Sequence, residues 1–143
     1  MTQKKRRASQ IWLGTFSSAE QFYGFTRERD DYYEKREDED RYALSDFIET
    51  QGTVWFDHDF FEGLYSEQIL NSSLDLKISF QNLYGHEVDR RMNLVGLTTF
   101  NAGVSLGLFD PKSKTDAPAV ENPVSVEGHG FIFHYMGIVE FDY

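Results

Sequence analysis

Residues 10–18 read QIWLGTFSS, and the way this stretch is divided decides how the rest of the chain is read. Ile11, Trp12 and Leu13 make a short apolar run closed by Gly14, the form of a buried strand. Ser17 and Ser18 follow as N-cap residues, with Glu20 and Gln21 three residues on, the spacing of a capping box. The spacing therefore predicts a strand over 10–14 and a first helix over about residues 18–30. Phe22, Tyr23 and Phe25 form its apolar stripe, and Gly24 inside it costs about 1 kcal/mol. A strand followed directly by a helix sets up a mixed domain, not an all-helical or all-β one.

Working outward, Ser45 caps a second short helix to Thr50, with Leu44, Phe47 and Ile48 turned inward and Gly52 as its stop. Gln51 to Glu62, QGTVWFDHDFFE, reads as the acidic front of a third helix running from Asp57 through Tyr65, with Ser66–Leu70 as one more helical turn. Leu74 to Phe80 alternates apolar and polar residues, which favours a half-buried strand, with a helix as the alternative. His86 to Arg91 reads as a charged turn. Residues 92–109 are rich in β-prone residues, with a hairpin turn at Asn101-Ala102-Gly103. Residues 110–130 hold all three prolines and read as a long exposed loop. The closing FIFHYMGIVEFDY predicts a strand with Phe131, Phe133 and Tyr135 on one face and a bulge at Gly137. Helices first and strands later give an α+β domain: an antiparallel sheet with helices packed on one face, mostly from the N-terminal half. Residues 1–9 are read as a flexible basic tail and 10–143 as a single domain.

Composition excludes several functions. The 143 residues carry 24 acidic and 14 basic side chains, a net charge of −10, and no cysteine. Without the basic tetrad Lys4, Lys5, Arg6 and Arg7, 10 basic residues face 24 acidic ones, a net −14. So acidic a domain repels nucleic acid and anionic membrane and attracts basic partners. The lack of cysteine removes disulfides, thiolate metal sites and cysteine nucleophiles and suits a reducing cytoplasm. No apolar run reaches bilayer length, and IWLG is too short for the core of a secretion signal.

Three groups of residues carry candidate chemistry, and each has a simpler explanation. Asp57, His58, Asp59 and Glu62 carry metal-ligand chemistry. Neighbours on a helix point about 100° apart, though, so only His58 and Glu62 share a face, and two ligands make an incomplete site. Gly103-Val104-Ser105-Leu106-Gly107 has the spacing of a nucleophile elbow, which requires a helix behind the serine. Here Leu-Gly-Leu-Phe-Asp-Pro follows, which continues a strand and then breaks. His129 and His134 lie five apart and point to opposite faces of a strand. There is no Walker loop, dinucleotide fingerprint or H-E-x-x-H, so no cofactor is expected. What remains is a surface: Glu34, Glu37, Asp38, Glu39 and Asp40 beside Tyr33 and Tyr42, a pairing of carboxylates and tyrosines suited to holding a basic protein partner.

Two segments carry a family resemblance. Ile11-Trp12-Leu13-Gly14-Thr15-Phe16-Ser17-Ser18 opens the domain. Phe47-Ile48-Glu49-Thr50-Gln51-Gly52 and Trp55-Phe56-Asp57-His58-Asp59-Phe60 follow some forty residues later. Together they resemble a bacterial immunity-protein family, the one numbered twenty-two among the immunity proteins of polymorphic toxin systems and formerly a domain of unknown function. The resemblance spans residues 10 to about 70. It implies a cytoplasmic protein without catalysis that binds and blocks a cognate toxin domain, one with a basic active-site groove if the toxin is a nuclease. It leaves Asp57 and Asp59 either in the fold or on the toxin-facing surface, for which Glu62 is a further candidate. Two readings of other classes compete with it: a small hydrolase or metal-dependent enzyme using Ser105 or the Asp57–Glu62 region, and an unrelated acidic interaction module.

Overall fold

Along the first strand, β1 (Arg6–Thr15), every residue from Ala8 to Gly14 is buried, so both faces of the strand are covered. This is the pattern of a strand at the centre of a sheet. The computed structural model describes residues 6–37, 41–56, 60–76, 81–108 and 120–142. The further elements are α1 (Ala19–Thr26), α2 (Tyr32–Lys35), α3 (Asp46–Thr50), β2 (Phe61–Leu70), a 3-10 turn (Ser73–Asp75), α4 (Gln81–Val95), β3 (Phe100–Leu108), β4 (Val126–Gly128) and β5 (Phe131–Asp142). The five strands form one antiparallel sheet in the order β2-β3-β1-β5-β4. The α+β class therefore holds. None of the described helices is long and apolar enough to cross a membrane.

Alternate residues of β1 feed two separate cores. Trp12 joins Phe16, Phe22, Phe47, Leu44, Val104 and Phe133 in an aromatic cluster beneath α1, α2 and α3. Ile11 and Leu13 join Val88, Met92, Phe100, Met136 and Val139 in a smaller, largely aliphatic cluster beneath α4. The one-face expectation thus holds for the three helices of the N-terminal half, and α4 adds a layer on the opposite face. Sequence periodicity can show that a strand is buried on both sides but not which element covers each side.

Local signals with local partners behave as expected. The Ser18 hydroxyl accepts from the Gln21 amide at 3.1 Å, and the Gln21 side chain returns to the Ser17 amide at 2.7 Å. Ser45 accepts from Ile48 N at 3.1 Å. Pairing of β1 with β5 shifts register between Ile11 and Trp12, opposite Gly137, whose φ is +96°. That is the expected bulge, at a backbone angle that favours glycine.

Five expectations are corrected. The tail is not wholly a tail: Arg6 to Ser9 belong to β1, with Arg6 opposite Asp142. The helix from Asp57 to Tyr65, and the helical turn after it, give way from Phe61 onward to β2, while Asp57, His58 and Asp59 lie outside the described residues. Gly63 allows β2 to lie close under α1, since a Cβ there would come within 3.3 Å of the Phe22 ring. The strand expected over 74–80 starts instead as a 3-10 turn tied to α4, with Asp89 accepting from Ser73 N at 2.7 Å and Ser72 Oγ at 2.6 Å. Residues 77–80 lie outside the described residues. The charged turn at His86–Arg91 is the middle of α4. Its charges are divided by the helix: Glu87 pairs to exposed Arg90 at 2.7 Å and to half-buried Arg91 at 3.1 Å, Asp89 holds the 3-10 turn, and Val88 and Met92 are buried. Asn101-Ala102-Gly103 is the buried interior of β3, not a turn.

The region 110–130 is also more structured than a loop, although residues 109–119 lie outside the described residues. Val120 is fully buried and β4 begins at Val126. Two glutamine side chains hold the stretch between them. Gln10 donates to Val120 O at 2.8 Å and accepts from Val120 N at 3.1 Å. Gln51 does the same to Val124, at 3.1 and 2.9 Å. Asn101 repeats the device on Phe16, at 2.8 and 2.9 Å. In each case a carboxamide satisfies both polar groups of a residue that has no strand neighbour, which matters because a buried unsatisfied group costs about 1–3 kcal/mol.

Candidate functional site

The surface singled out by the sequence is built from short segments laced together by main-chain bonds. Arg29 N donates to Leu44 O at 2.7 Å, and Leu44 N donates to Val54 O at 2.7 Å. The segments around residues 29, 44 and 54 therefore lie side by side without forming a strand. Buried Tyr32 anchors α2 in the aromatic core, stacked against Tyr42 with ring centroids 6.4 Å apart. Tyr33, next in sequence, points outward and is 48% exposed.

Arg29 is the hub. Its guanidinium donates to Asp46 at 2.7 and 3.1 Å, to Glu49 at 2.6 Å and to the Ala43 carbonyl at 3.2 Å, and it lies 5.1 Å from the centre of the Tyr42 ring. The hydrogen bond to Asp46, with the nearby Glu49 charge, holds its proton more tightly than in a free arginine. Tyr42 donates to Asp31 at 2.5 Å. That bond lowers the Asp31 carboxyl below its ordinary value and raises the Tyr42 hydroxyl above its own. Lys35 completes the group, 3.3 Å from Asp31 and 5.2 Å from the Tyr42 ring centre. Such exposed pairs add little to stability. Their main effect here is to fix side chains in place.

The predicted site residues divide accordingly. Tyr33, Glu34, Glu37 and Tyr42 lie on or beside α2. Tyr42 is half-buried, while Glu34 and Glu37 are exposed with no cation in salt-bridge range among the described residues. Asp38, Glu39 and Asp40, and likewise Asp57 and Asp59, lie outside the described residues. Glu62 stands on the edge strand β2, opposite Ser105 of β3, and so belongs to a different element. Ser105 itself is 7% exposed in mid-strand, with no helix behind it of the kind a nucleophile elbow needs. His86 is on α4, His129 in the turn after β4 and His134 on β5. Among the described residues, no three His, Asp or Glu side chains gather as a metal site.

Two contributors were not singled out from sequence. Trp55, quoted above only as part of a motif, is 45% exposed directly after the segment that pairs with Leu44. Arg29 meets its carboxylates 17 and 20 residues away, a spacing that no motif encodes. Comparison of the chain with protein-family models, with curated proteins and with solved structures gives no match.

Proposed function

We propose that this protein is a cytoplasmic immunity protein that binds a cognate bacterial toxin domain and neutralises it by occlusion, without chemistry of its own. The observation that carries this reading is the surface around α2 and Trp55. There, exposed Tyr33, with the Arg36 guanidinium 5.0 Å from its ring centre, adjoins Glu34 and Glu37, which have no cation in salt-bridge range among the described residues, while exposed Trp55 follows the segment bonded to Leu44, and Arg29 and the Tyr42–Asp31 bond hold these segments. Tyr and Trp supply large contact area at low entropic cost, and free carboxylates steer and orient a basic partner. A net charge of −10 speeds that encounter, and the rate falls as salt rises. The local resemblance described above supports the same reading.

The test is co-expression with the C-terminal domain of the protein encoded immediately upstream. Survival of the cells and co-purification of a stable complex are expected. Tyr33→Ala combined with Trp55→Ala is expected to weaken the complex by at least tenfold, about 1.4 kcal/mol, without lowering the stability of the free protein. If a demonstrably toxic domain still kills in the presence of this protein, that pairing is wrong. Loss of toxicity through hydrolysis of the toxin, abolished by Ser105→Ala, would favour the hydrolase reading instead.

A further inference from the structure

The α4 face of the sheet is not covered to its end. Ile11 and Leu13 of β1 pack beneath α4, and Thr15 continues their alternation on the same face. Thr15 lies opposite Ile132 of β5, and Ile132 lies opposite Glu127 of β4. Paired residues point to the same face, so these three side chains form a row across three strands. The helix stops short of that row. Gly96, with φ +74°, ends α4, and Leu97 folds back toward the sheet, its amide donating to Met92 O at 2.9 Å.

The result is a groove of about 410 Å³ lined by Thr15, Leu97, Glu127, Ile132 and His134, with Gly128, Gly130 and Phe131 at the hairpin end. Ile132 is 42% exposed between the exposed Thr15 and Glu127, one step along the sheet from buried Ile11 and Leu13, and Leu94 and Val95 on the last turn of α4 are 70% and 60% exposed. The volume lies within the range of sites that accept small ligands or peptide side chains. Its wall is apolar at Leu97 and Ile132 and acidic at Glu127, which is exposed and has no cation in range among the described residues.

We propose that this groove docks an apolar side chain of a partner protein whose neighbouring residue is lysine or arginine. The apolar group would cover Ile132 and Leu97, and the cation would reach Glu127. Charge selects this occupant over a second copy of the chain, since each copy carries −10. The groove is separate from the α2 surface, so the proposal stands whether or not the partner is a toxin.

The test uses the isolated, ¹⁵N-labelled full chain titrated with the blocked tetrapeptide Gly-Leu-Lys-Gly, followed by NMR. Saturable shifts are expected at Thr15, Leu97, Glu127, Ile132 and His134, with a Kd of about 1 mM or weaker, as befits so small a probe. Gly-Leu-Glu-Gly and Gly-Ser-Lys-Gly should each bind more weakly. Glu127→Gln should leave the spectrum folded and remove about a threefold preference for the lysine peptide over its glutamine analogue, the size expected of an exposed ion pair. Shifts scattered over the surface, equal affinity for the lysine and glutamate peptides, or an unchanged preference in Glu127→Gln would overturn the proposal. So would concentration-dependent shifts at the same residues without peptide, which would assign the groove to a second copy.

Discussion

The two faces of the central sheet are packed by different means. On one face, three helices of eight, four and five residues cover a core of interlocking aromatic rings. Trp12 meets Phe47 edge-on at 5.0 Å and Tyr135 at 4.8 Å, and Phe16 stacks on Phe131 at 4.6 Å. On the other face, a single helix of 15 residues presses Val88 and Met92 onto Ile11, Leu13 and Val139. Short helices are marginal by themselves, because helix nucleation is unfavourable and few bonds repay it. The aromatic face therefore depends on its surroundings: side-chain caps, carboxamide clamps and the Arg29 hub. The longer helix carries more of its own support, including the Glu87 pairs along its exposed side. The putting-together of α1 to α3 is a tertiary event; that of α4 is partly local.

Truncating the centre of each face tests the difference most directly. Trp12→Ala is expected to cost about 4 kcal/mol and Met92→Ala about 3 kcal/mol, within the usual span for large-to-small changes in a core. In chemical denaturation both should lower the midpoint. Only Trp12→Ala should also loosen α1 and α3 in hydrogen exchange below global unfolding. Equal, uniform effects on both faces would mean that the two cores behave as one.

The next effect concerns the clamps. Gln10→Leu keeps the volume roughly constant but strands the N–H and C=O of buried Val120, at a cost of about 2 kcal/mol. The Val120 amide should exchange faster while the amides of α4 keep their protection. A loss under about 0.5 kcal/mol would show that water or a neighbouring group replaces the carboxamide without penalty. Smaller still is the cap of α3: Ser45→Ala should cost about 1 kcal/mol, read from the thermal midpoint, with loss of helix confined to Asp46–Thr50.

The smallest effect is electrostatic and belongs to α4. Hydrogen bonds from Arg90, then Arg91, pull the Glu87 carboxyl from its ordinary 4.5 down to about 2. A lowered value means that the folded state favours the ionised form. The stabilisation is thus complete above pH 4.5 and fades as the pH falls toward about 2. Glu87→Gln should remove this part of the acid dependence and leave stability at neutral pH almost unchanged, since the pair is exposed. An identical acid profile in the two proteins would assign the acid loss to other carboxylates.

The sequence was legible where a signal and its partner lie close together. The Ser18 and Ser45 caps bond to residues three positions on, and the Gly137 bulge needs an unusual backbone angle at one residue. It misled where tertiary contacts override a local pattern. Phe61–Leu70 carries an acidic lead-in suited to a helix, but it pairs with β3. Asn101 and Gly103 look like turn residues, yet one clamps Phe16 and the other makes room for Leu76 and Leu13. Glu87, Arg90 and Arg91 look like a turn because their pairing is visible only once a helix is assumed. For the candidate surface, composition identified the exposed Tyr33, Glu34 and Glu37. The residues that stiffen it, Arg29 with Asp46 and Glu49, are brought together only by the fold.

The central position of β1 has a consequence for synthesis. The strand made first is flanked by β3 and β5, and Arg6 is matched with Asp142. Until residues 131–142 have left the ribosome, Trp12 and Ile11 lack one of the two neighbouring strands that enclose them. At about 5–20 residues per second, the delay between the first strand and the last is on the order of ten seconds. Until then the nascent chain holds a strongly apolar strand with at least one open edge. Its excess of carboxylates, a net charge of −10, is a self-repulsion that acts against the association of unfinished chains.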